Sequence, residues 1–85
     1  MNLFVVIAAY NEEKKIRKVL NELKKQYNNI IVVDDGSKDN TYAVAKKEGV
    51  IVLKHIINRG QGAALKTGID CALQKKADII VTFDA

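Results

Sequence analysis

Four short apolar segments recur along the chain and predict buried β-strands. They cover residues 3–9, 30–33, 50–53 and 79–83. Each segment is rich in valine or isoleucine and lacks the alternation of apolar and polar positions that marks a half-exposed strand. Strands that are buried on both faces in this way are typical of parallel sheets.

The segment between the first two strands has the periodicity of an amphipathic helix. Residues 12–27 place apolar side chains at i, i+3, i+4, i+7 and i+11, counted from Ile16. Asn11 precedes this segment and is the predicted N-cap, with acids in the first turn and lysines in the last. The pattern predicts a helix over residues 12–27.

Two further helices are predicted between the later strands. The second covers about residues 40–48, with Asp39 and Asn40 as candidate caps and Gly49 as a left-handed residue at its end. Its apolar positions are poorly patterned. The third covers about residues 61–75 and places apolar side chains at i, i+4, i+7 and i+8.

The alternation of strands and helices predicts an α/β fold of the Rossmann type, with an open, mostly parallel four-stranded sheet and three helices. At 85 residues the chain has the size of one small domain with a thin core. Its 48% of apolar residues exclude disorder, and its single cysteine excludes an intramolecular disulfide. No apolar run is long enough to span a bilayer, so a reducing cytoplasmic location is expected.

The net charge of +4 does not indicate a nucleic-acid partner once the charges are placed. All of the basic residues except Arg17 and Arg59 are lysines, and they are mixed with acids along the chain. Aromatic residues that could stack on bases do not lie between them. Such mixing is typical of solvated helix faces, so no nucleic-acid partner is predicted.

Polar residues follow every predicted strand. They are Tyr10-Asn11-Glu12 after the first, Asp34-Asp35-Gly36-Ser37 after the second, residues 55–62 after the third and Asp84 after the fourth. Ligands of open α/β sheets bind at the edge where the carboxyl ends of the strands meet. Each residue alone has a structural explanation as a cap or turn former, but their convergence favours a site for a metal-bridged or polyhydroxyl ligand.

The glycine-rich segment 58–62 is similar to two phosphate-binding loops but matches neither. Leu65 occupies the position at which both the dinucleotide fingerprint and the P-loop would require a further glycine. The weaker inference is that Gly60 and Gly62 open a helix whose free N–H groups could face a phosphate.

Taken together, four motifs resemble those of the family 2 glycosyltransferases, which have the GT-A fold. The motifs are Tyr10-Asn11-Glu12 within residues 5–13, Asp34-Asp35-Gly36-Ser37 within 31–41, Asn58-Arg59-Gly60-Gln61-Gly62 within 58–64, and Phe83-Asp84 within 81–85. They occur in the family's order and spacing over essentially the whole chain. The similarity is greatest to the branch that transfers sugars to dolichyl or polyprenyl phosphate.

The resemblance implies a nucleotide-sugar site. In the family, the residues that match Ala8, Tyr10 and Glu12 line the nucleoside pocket, and those that match Val33 and Asp35 flank and hydrogen-bond the base. A carboxylate accepts the ring N–H that uracil and guanine both present. The implied ligand is therefore a UDP- or GDP-linked sugar.

A divalent metal is also implied by the resemblance. Asp84 matches the first acid of the family's Asp-x-Asp motif, whose carboxylates hold Mg²⁺ or Mn²⁺ on the diphosphate. Two positions depart from the family pattern. Ala8 replaces the usual proline, and the sequence ends at Ala85, before the second acid, the acceptor pocket and the catalytic base. Residues 1–85 are thus expected to form a partial, nucleotide-binding domain with weakened metal binding and no activity alone.

The resemblance further implies the strand order 3-2-1-4, with the first two helices on one face of the sheet and the third on the other. Strand 79–83 is then an apolar edge, and such edges pair with other chains. A homodimer or higher oligomer through this edge or the half-covered face is predicted. The alternative to nucleotide-sugar binding is a non-catalytic oligomeric α/β module, or a truncated gene product without a ligand. His55 and Cys71 are predicted to be structural, and Lys66 to be solvated.

Overall fold

The structure, a computed structural model, describes the backbone of residues 1–84 and the side chains of residues 1–83. Its elements are β1 (Leu3–Ala9), α1 (Ile16–Lys24), β2 (Ile30–Asp35), α2 (Thr41–Lys46), β3 (Ile51–His55), α3 (Gln61–Gln74) and β4 (Ile79–Asp84). The sheet has the order β3-β2-β1-β4, and all three strand pairings are parallel. The predicted strand order is confirmed, and the sheet predicted to be mostly parallel is parallel at every pairing.

The two central strands bury side chains on both faces of the sheet. One core joins them to α1 and α2 through Val5, Ile7, Ala9, Ile16, Leu20, Ile30, Val32, Ala45 and Val52. The other joins them to α3 through Phe4, Val6, Ala8, Ile31, Val33, Ala64 and Ala72. Burial on both faces explains why these strands are continuous apolar runs, and the predicted placement of the helices is confirmed.

The first helix begins later than its periodicity predicts. α1 starts at Ile16 with Lys15 as N-cap, so the prediction that Asn11 caps the helix is wrong. Asn11 has a φ of 53°; its N–H donates to Ser37 Oγ (2.8 Å) and its Oδ1 accepts from the Lys38 N–H (2.9 Å). Asn11 therefore ties the end of β1 to the β2–α2 loop, and the acids predicted for the first turn precede the helix.

The second helix is shorter than predicted, in keeping with its poor apolar pattern. Asn40 occupies the N-cap position without a side-chain capping bond. The Asp39 carboxylate instead accepts hydrogen bonds from the N–H and the hydroxyl of Thr41. Gly49 follows the helix with a φ of 76°, which confirms the predicted left-handed conformation at its end.

The packing of α3 on the sheet depends on Gly68. A Cβ at this position would lie 2.3 Å from Val6 Cγ1 and 3.1 Å from Val33 Cγ2. We expect Gly68→Ala to lower the free energy of unfolding by about 1–3 kcal/mol, because overpacking outweighs the better helix propensity of alanine. Urea unfolding measures the change.

Gly62, in the first turn of the same helix, provides the matched control. A Cβ there meets none of the described atoms within 4 Å. Gly62→Ala should therefore raise the free energy of unfolding by up to about 1 kcal/mol. Equal effects of the two substitutions would contradict this account of helix packing.

Candidate functional site

The carboxylate of Asp35, the last residue of β2, is the centre of a hydrogen-bonded group at the carboxyl edge of the sheet. The residue is 3% exposed. Its Oδ1 accepts from His55 Nδ1 (2.8 Å) and from the Arg59 N–H (2.9 Å), and its Oδ2 accepts from the Gly60 N–H (2.8 Å). Asn58 Nδ2 donates to the Asp35 carbonyl (3.2 Å). Asp35 thus fixes the loop between β3 and α3, which we call the β3–α3 loop (residues 56–60).

His55 links this carboxylate to helix α3. Because Asp35 only accepts, His55 Nδ1 carries a hydrogen, and His55 Nε2 lies 2.8 Å from Thr67 Oγ1. Thr67 Oγ1 also lies 3.0 Å from the Ala63 carbonyl. The Thr67 hydroxyl has a single hydrogen. When it donates this hydrogen to the Ala63 carbonyl, its oxygen can only accept from His55, and that second hydrogen bond requires a hydrogen on Nε2. The chain of contacts holds the imidazole ring in one orientation against Asp35.

The hydrogen bonds determine the charge of Asp35. Burial alone opposes ionisation, but the Arg59 N–H, the His55 ring and the Gly60 N–H together hold the pKa of Asp35 below its usual 3.8. Asp35 is therefore ionised at neutral pH. It provides a fixed negative charge and a hydrogen-bond acceptor at the carboxyl edge.

The lowered pKa of Asp35 predicts a pH dependence of stability. Ionised Asp35 contributes to the free energy of unfolding. This contribution is complete at pH values above 3.8, the pKa of the unfolded chain, and it is lost as the pH falls through the lower pKa of the folded protein. The free energy of unfolding should therefore decrease as the pH falls below about 4. In urea unfolding, the difference between wild type and Asp35→Asn should narrow over this range. A difference that does not change with pH would contradict the assignment.

A pocket of about 230 Å³ lies beside Asp35. Its lining residues are Ala8, Ala9, Tyr10, Asp35, Asn58, Gly60 and Gln61. The structure thus brings together residues from the ends of β1 and β2 and from the β3–α3 loop. Four of the residues expected at the site, Ala8, Tyr10, Asp35 and Gly60, share this lining, and the Tyr10 side chain is partly exposed to solvent.

The other residues expected at the site lie outside this lining. Glu12 lines a separate cavity of about 280 Å³ with Asp39, and its N–H donates to Thr41 Oγ1 (2.8 Å). Val33 is fully buried in the core beneath α3. Gly62 is exposed in the first turn of α3.

The sequence did not identify the role of His55 in holding Asp35. The two residues are opposite each other in the β2–β3 register, as the last residues of neighbouring parallel strands. The sequence signal that could have identified this pair is that each of two neighbouring apolar strands ends in a polar residue. The prediction that His55 is structural agrees with its hydrogen bonds to Asp35 and Thr67.

The expected metal ligand, Asp84, ends β4, and its side chain lies outside the described residues. Within the described part of the chain, no three His, Cys, Asp or Glu side chains come together in a group that could hold a metal ion. No helix formed by the described residues combines the length and apolarity needed to cross a bilayer.

Comparisons with known proteins agree on one family. The model of Glycosyl transferase family 2 matches residues 4–85. An uncharacterized protein of Methanocaldococcus jannaschii is 63% identical over 98% of this chain and 35% of its own length. The UDP-N-acetylglucosamine–dolichyl-phosphate N-acetylglucosaminyltransferase of Methanococcus voltae is 45% identical over 98% of this chain and 40% of its own length.

Solved structures share the fold. Glucosyl-3-phosphoglycerate synthase from Mycobacterium tuberculosis, in a complex with Mn²⁺, UDP and glucosyl-3-phosphoglycerate, superimposes with a TM-score of 0.79 at 28% identity. The match covers 98% of this chain and 33% of the synthase. The chain therefore spans between a third and two fifths of the length of these relatives. The parallel order β3-β2-β1-β4, the four motifs and the matched model agree, and the chain belongs to glycosyltransferase family 2.

Proposed function

We propose that this chain binds the nucleotide of a nucleotide-diphosphate sugar in the pocket beside Asp35. The observation that carries the proposal is the ionised Asp35 carboxylate, which three donors fix at the pocket wall. A base that presents a ring N–H toward this wall gains a charge-assisted hydrogen bond to a carboxylate that the protein already holds in place. The solved relative that contains UDP supports the same ligand class.

The hydrogen bonds already made to Asp35 favour uracil over guanine. A carboxylate offers about four acceptor positions. In the described part of the chain two donors reach Oδ1 and one reaches Oδ2, which leaves one position on Oδ2. Uracil presents one ring N–H, which matches this one acceptor position. The same edge of guanine presents two donors, a ring N–H and an amino group. A UDP-linked sugar is therefore our first choice and a GDP-linked sugar the second.

The remaining wall of the pocket suits a planar base followed by a diphosphate. Ala8 and Ala9 are small and leave room, and the partly exposed Tyr10 ring offers a surface on which a base can stack. Gly60 precedes α3, and the N-terminus of a helix favours a negatively charged ligand, so we place the diphosphate beside this first turn. Gly62 lies in the same turn. Direct contacts of Glu12 and Val33 with the nucleoside stay predictions from the family resemblance.

Catalysis by the complete protein is proposed from its relatives. The proposed reaction is an inverting transfer of the sugar to an acceptor. A divalent metal held in part by Asp84 would neutralise charge on the departing nucleotide diphosphate. Mn²⁺ accompanies UDP in one solved relative and Mg²⁺ in another crystal of the same synthase. The resemblance assigns one metal-binding carboxylate, that of Asp84, to residues 1–85, and we propose that metal binding by this chain is weak and that the chain is inactive alone.

Isothermal titration calorimetry with UDP, GDP and CDP tests the proposed ligand. UDP should bind more tightly than GDP, and CDP should bind at least about tenfold more weakly than UDP, because cytosine lacks the ring N–H that Asp35 accepts. Addition of Mn²⁺ should change the UDP affinity only slightly. Equal affinities for the three nucleotides would contradict the role of Asp35, and the absence of heat with UDP would contradict the proposal itself.

A non-catalytic, self-associating module is the second candidate function. It is favoured by β4, which in the described sheet pairs with β1 on one side only and carries the 41% exposed Ile79. We propose a homodimer through this strand. Sedimentation velocity should show a concentration-dependent dimer that Ile79→Lys weakens, and a monomer at all accessible concentrations would contradict it.

The free Cys71 is consistent with a reducing, cytoplasmic location, which we also propose.

A further inference from the structure

The β3–α3 loop exposes two adjacent isoleucines beside the proposed nucleotide pocket. The side chain of Ile56 is 95% exposed and that of Ile57 is 68% exposed. Large apolar side chains are ordinarily exposed singly, whereas a contiguous exposed pair marks an interaction surface.

The backbone of this loop is fixed even though its side chains are exposed. Arg59 and Gly60 donate to the Asp35 carboxylate, and Asn58 donates to the Asp35 carbonyl. The Ile57 backbone packs directly against Gly36, where an added Cβ would lie 2.4 Å from the Ile57 carbonyl carbon. The two isoleucines are therefore held at the surface by the same residue that forms the pocket wall, and little conformational entropy is lost when the loop binds a partner.

The surroundings of the isoleucines are basic. Among the described residues, the shallow surface cavity beside them is lined by Lys54, His55, Ile56, Ile57 and Arg59, none of which is acidic. Lys54 and Arg59 are both exposed, and the Lys54 ammonium lies 5.1 Å from the centre of the Tyr42 ring. Exposed apolar side chains flanked by cations are the combination that binds an anionic lipid surface, through burial of apolar area and attraction to the headgroups.

We propose that Ile56 and Ile57, flanked by Lys54 and Arg59, form a docking surface for an anionic phospholipid bilayer. The proposal rests on the proposed sugar transfer and adds to it a lipid-linked acceptor, which is the kind of acceptor that the name of the Methanococcus voltae relative gives. The docking surface and the nucleotide pocket share the β3–α3 loop. Docking here would place the membrane interface beside the pocket, within reach of a phosphate at the headgroup level.

Co-sedimentation of the 85-residue chain with large unilamellar vesicles tests this proposal. The vesicles are phosphatidylcholine alone, or phosphatidylcholine with phosphatidylglycerol. The chain should partition into the anionic vesicles at least about tenfold more strongly than into the neutral ones, and high salt should reduce this difference. Ile56→Ser combined with Ile57→Ser should lower partitioning into anionic vesicles by about tenfold or more.

Leu73→Ser is the matched control, because Leu73 is 58% exposed but lies near the opposite end of α3. It should bind anionic vesicles like the wild type, and circular dichroism should show both variants folded. Docking is contradicted if the wild type does not bind anionic vesicles, or if the double variant binds as well as the wild type. A parallel titration of the wild type with UDP in the absence of vesicles separates the proposals: UDP binding without vesicle binding overturns docking alone, and the reverse overturns nucleotide binding alone.

Discussion

Asp35→Asn is expected to weaken UDP binding at least about thirtyfold, because the variant loses a charge-assisted acceptor at the pocket wall. An asparagine side chain also places an amino group opposite the N–H of Arg59 or of Gly60, both of which donate to the carboxylate. At least one of the donors to Asp35 is then left without its acceptor. We expect the free energy of unfolding to fall by about 2–4 kcal/mol. Calorimetry with UDP and urea unfolding measure the two effects.

The neighbouring carboxylate provides the control for this substitution. Asp34 is equally buried, but in the described structure its Oδ1 accepts only a 3.3 Å hydrogen bond from the Ser37 N–H and its Oδ2 has no hydrogen-bond partner. Asp34→Asn keeps an acceptor for Ser37, so UDP affinity should change less than about threefold and stability should be nearly unchanged. The assignment of Asp35 to the nucleotide is contradicted if the two substitutions weaken UDP binding equally.

Gly36→Ala is expected to have the largest effect on stability. Gly36 has a φ of 72°, and a Cβ there would lie 2.4 Å from both the Asn58 nitrogen and the Ile57 carbonyl carbon. These are backbone atoms, so the clash is relieved only by moving the β3–α3 loop away from Asp35. We expect the free energy of unfolding to fall by about 3 kcal/mol or more, out of a total of about 5–10 kcal/mol for a domain of this size. UDP affinity should fall at least about tenfold, because the Arg59 and Gly60 donors move with the loop.

Gly49→Ala separates the cost of the steric clash from the cost of placing an alanine in a left-handed backbone conformation. Gly49 has a φ of 76°, nearly the same as Gly36, but a Cβ there meets none of the described atoms within 4 Å. Its substitution should cost only the conformational term of about 1–2 kcal/mol and leave UDP binding unchanged. Urea unfolding of both variants gives the comparison, and equal costs would show that the contact between Gly36 and the loop is unimportant.

The strands could be predicted because they follow from burial, and their order could be predicted because the family resemblance implies it. Strands β1 and β2 are covered by helices on both faces, so their sequences are continuous apolar runs with clear ends. The start of α1 could not be predicted in the same way. Asn11 is a good N-cap residue, but its side chain bonds the backbone of Lys38, and this contact across 27 positions of sequence has no local signal.

The sequence predicted only part of the site, because the remaining contacts also join residues that are far apart in the chain. The motifs identified Ala8, Tyr10, Asp35 and Gly60, and the structure places all four around one pocket. The hydrogen bonds that hold Asp35 come from residues 20 to 25 positions away. Their donors are mostly backbone N–H groups, which every non-proline residue carries, so the sequence alone does not distinguish them.

The most direct test of nucleotide binding by this chain is a titration of the ¹⁵N-labelled protein with UDP, followed by two-dimensional NMR. We predict progressive amide shifts at residues that line the pocket, namely Ala8, Ala9, Tyr10, Asp35, Asn58, Gly60 and Gln61. Amides of Lys14 and Asp39, which line the separate cavity, should shift less. Shifts centred on that second cavity, or an unchanged spectrum at millimolar UDP, would contradict the proposed site.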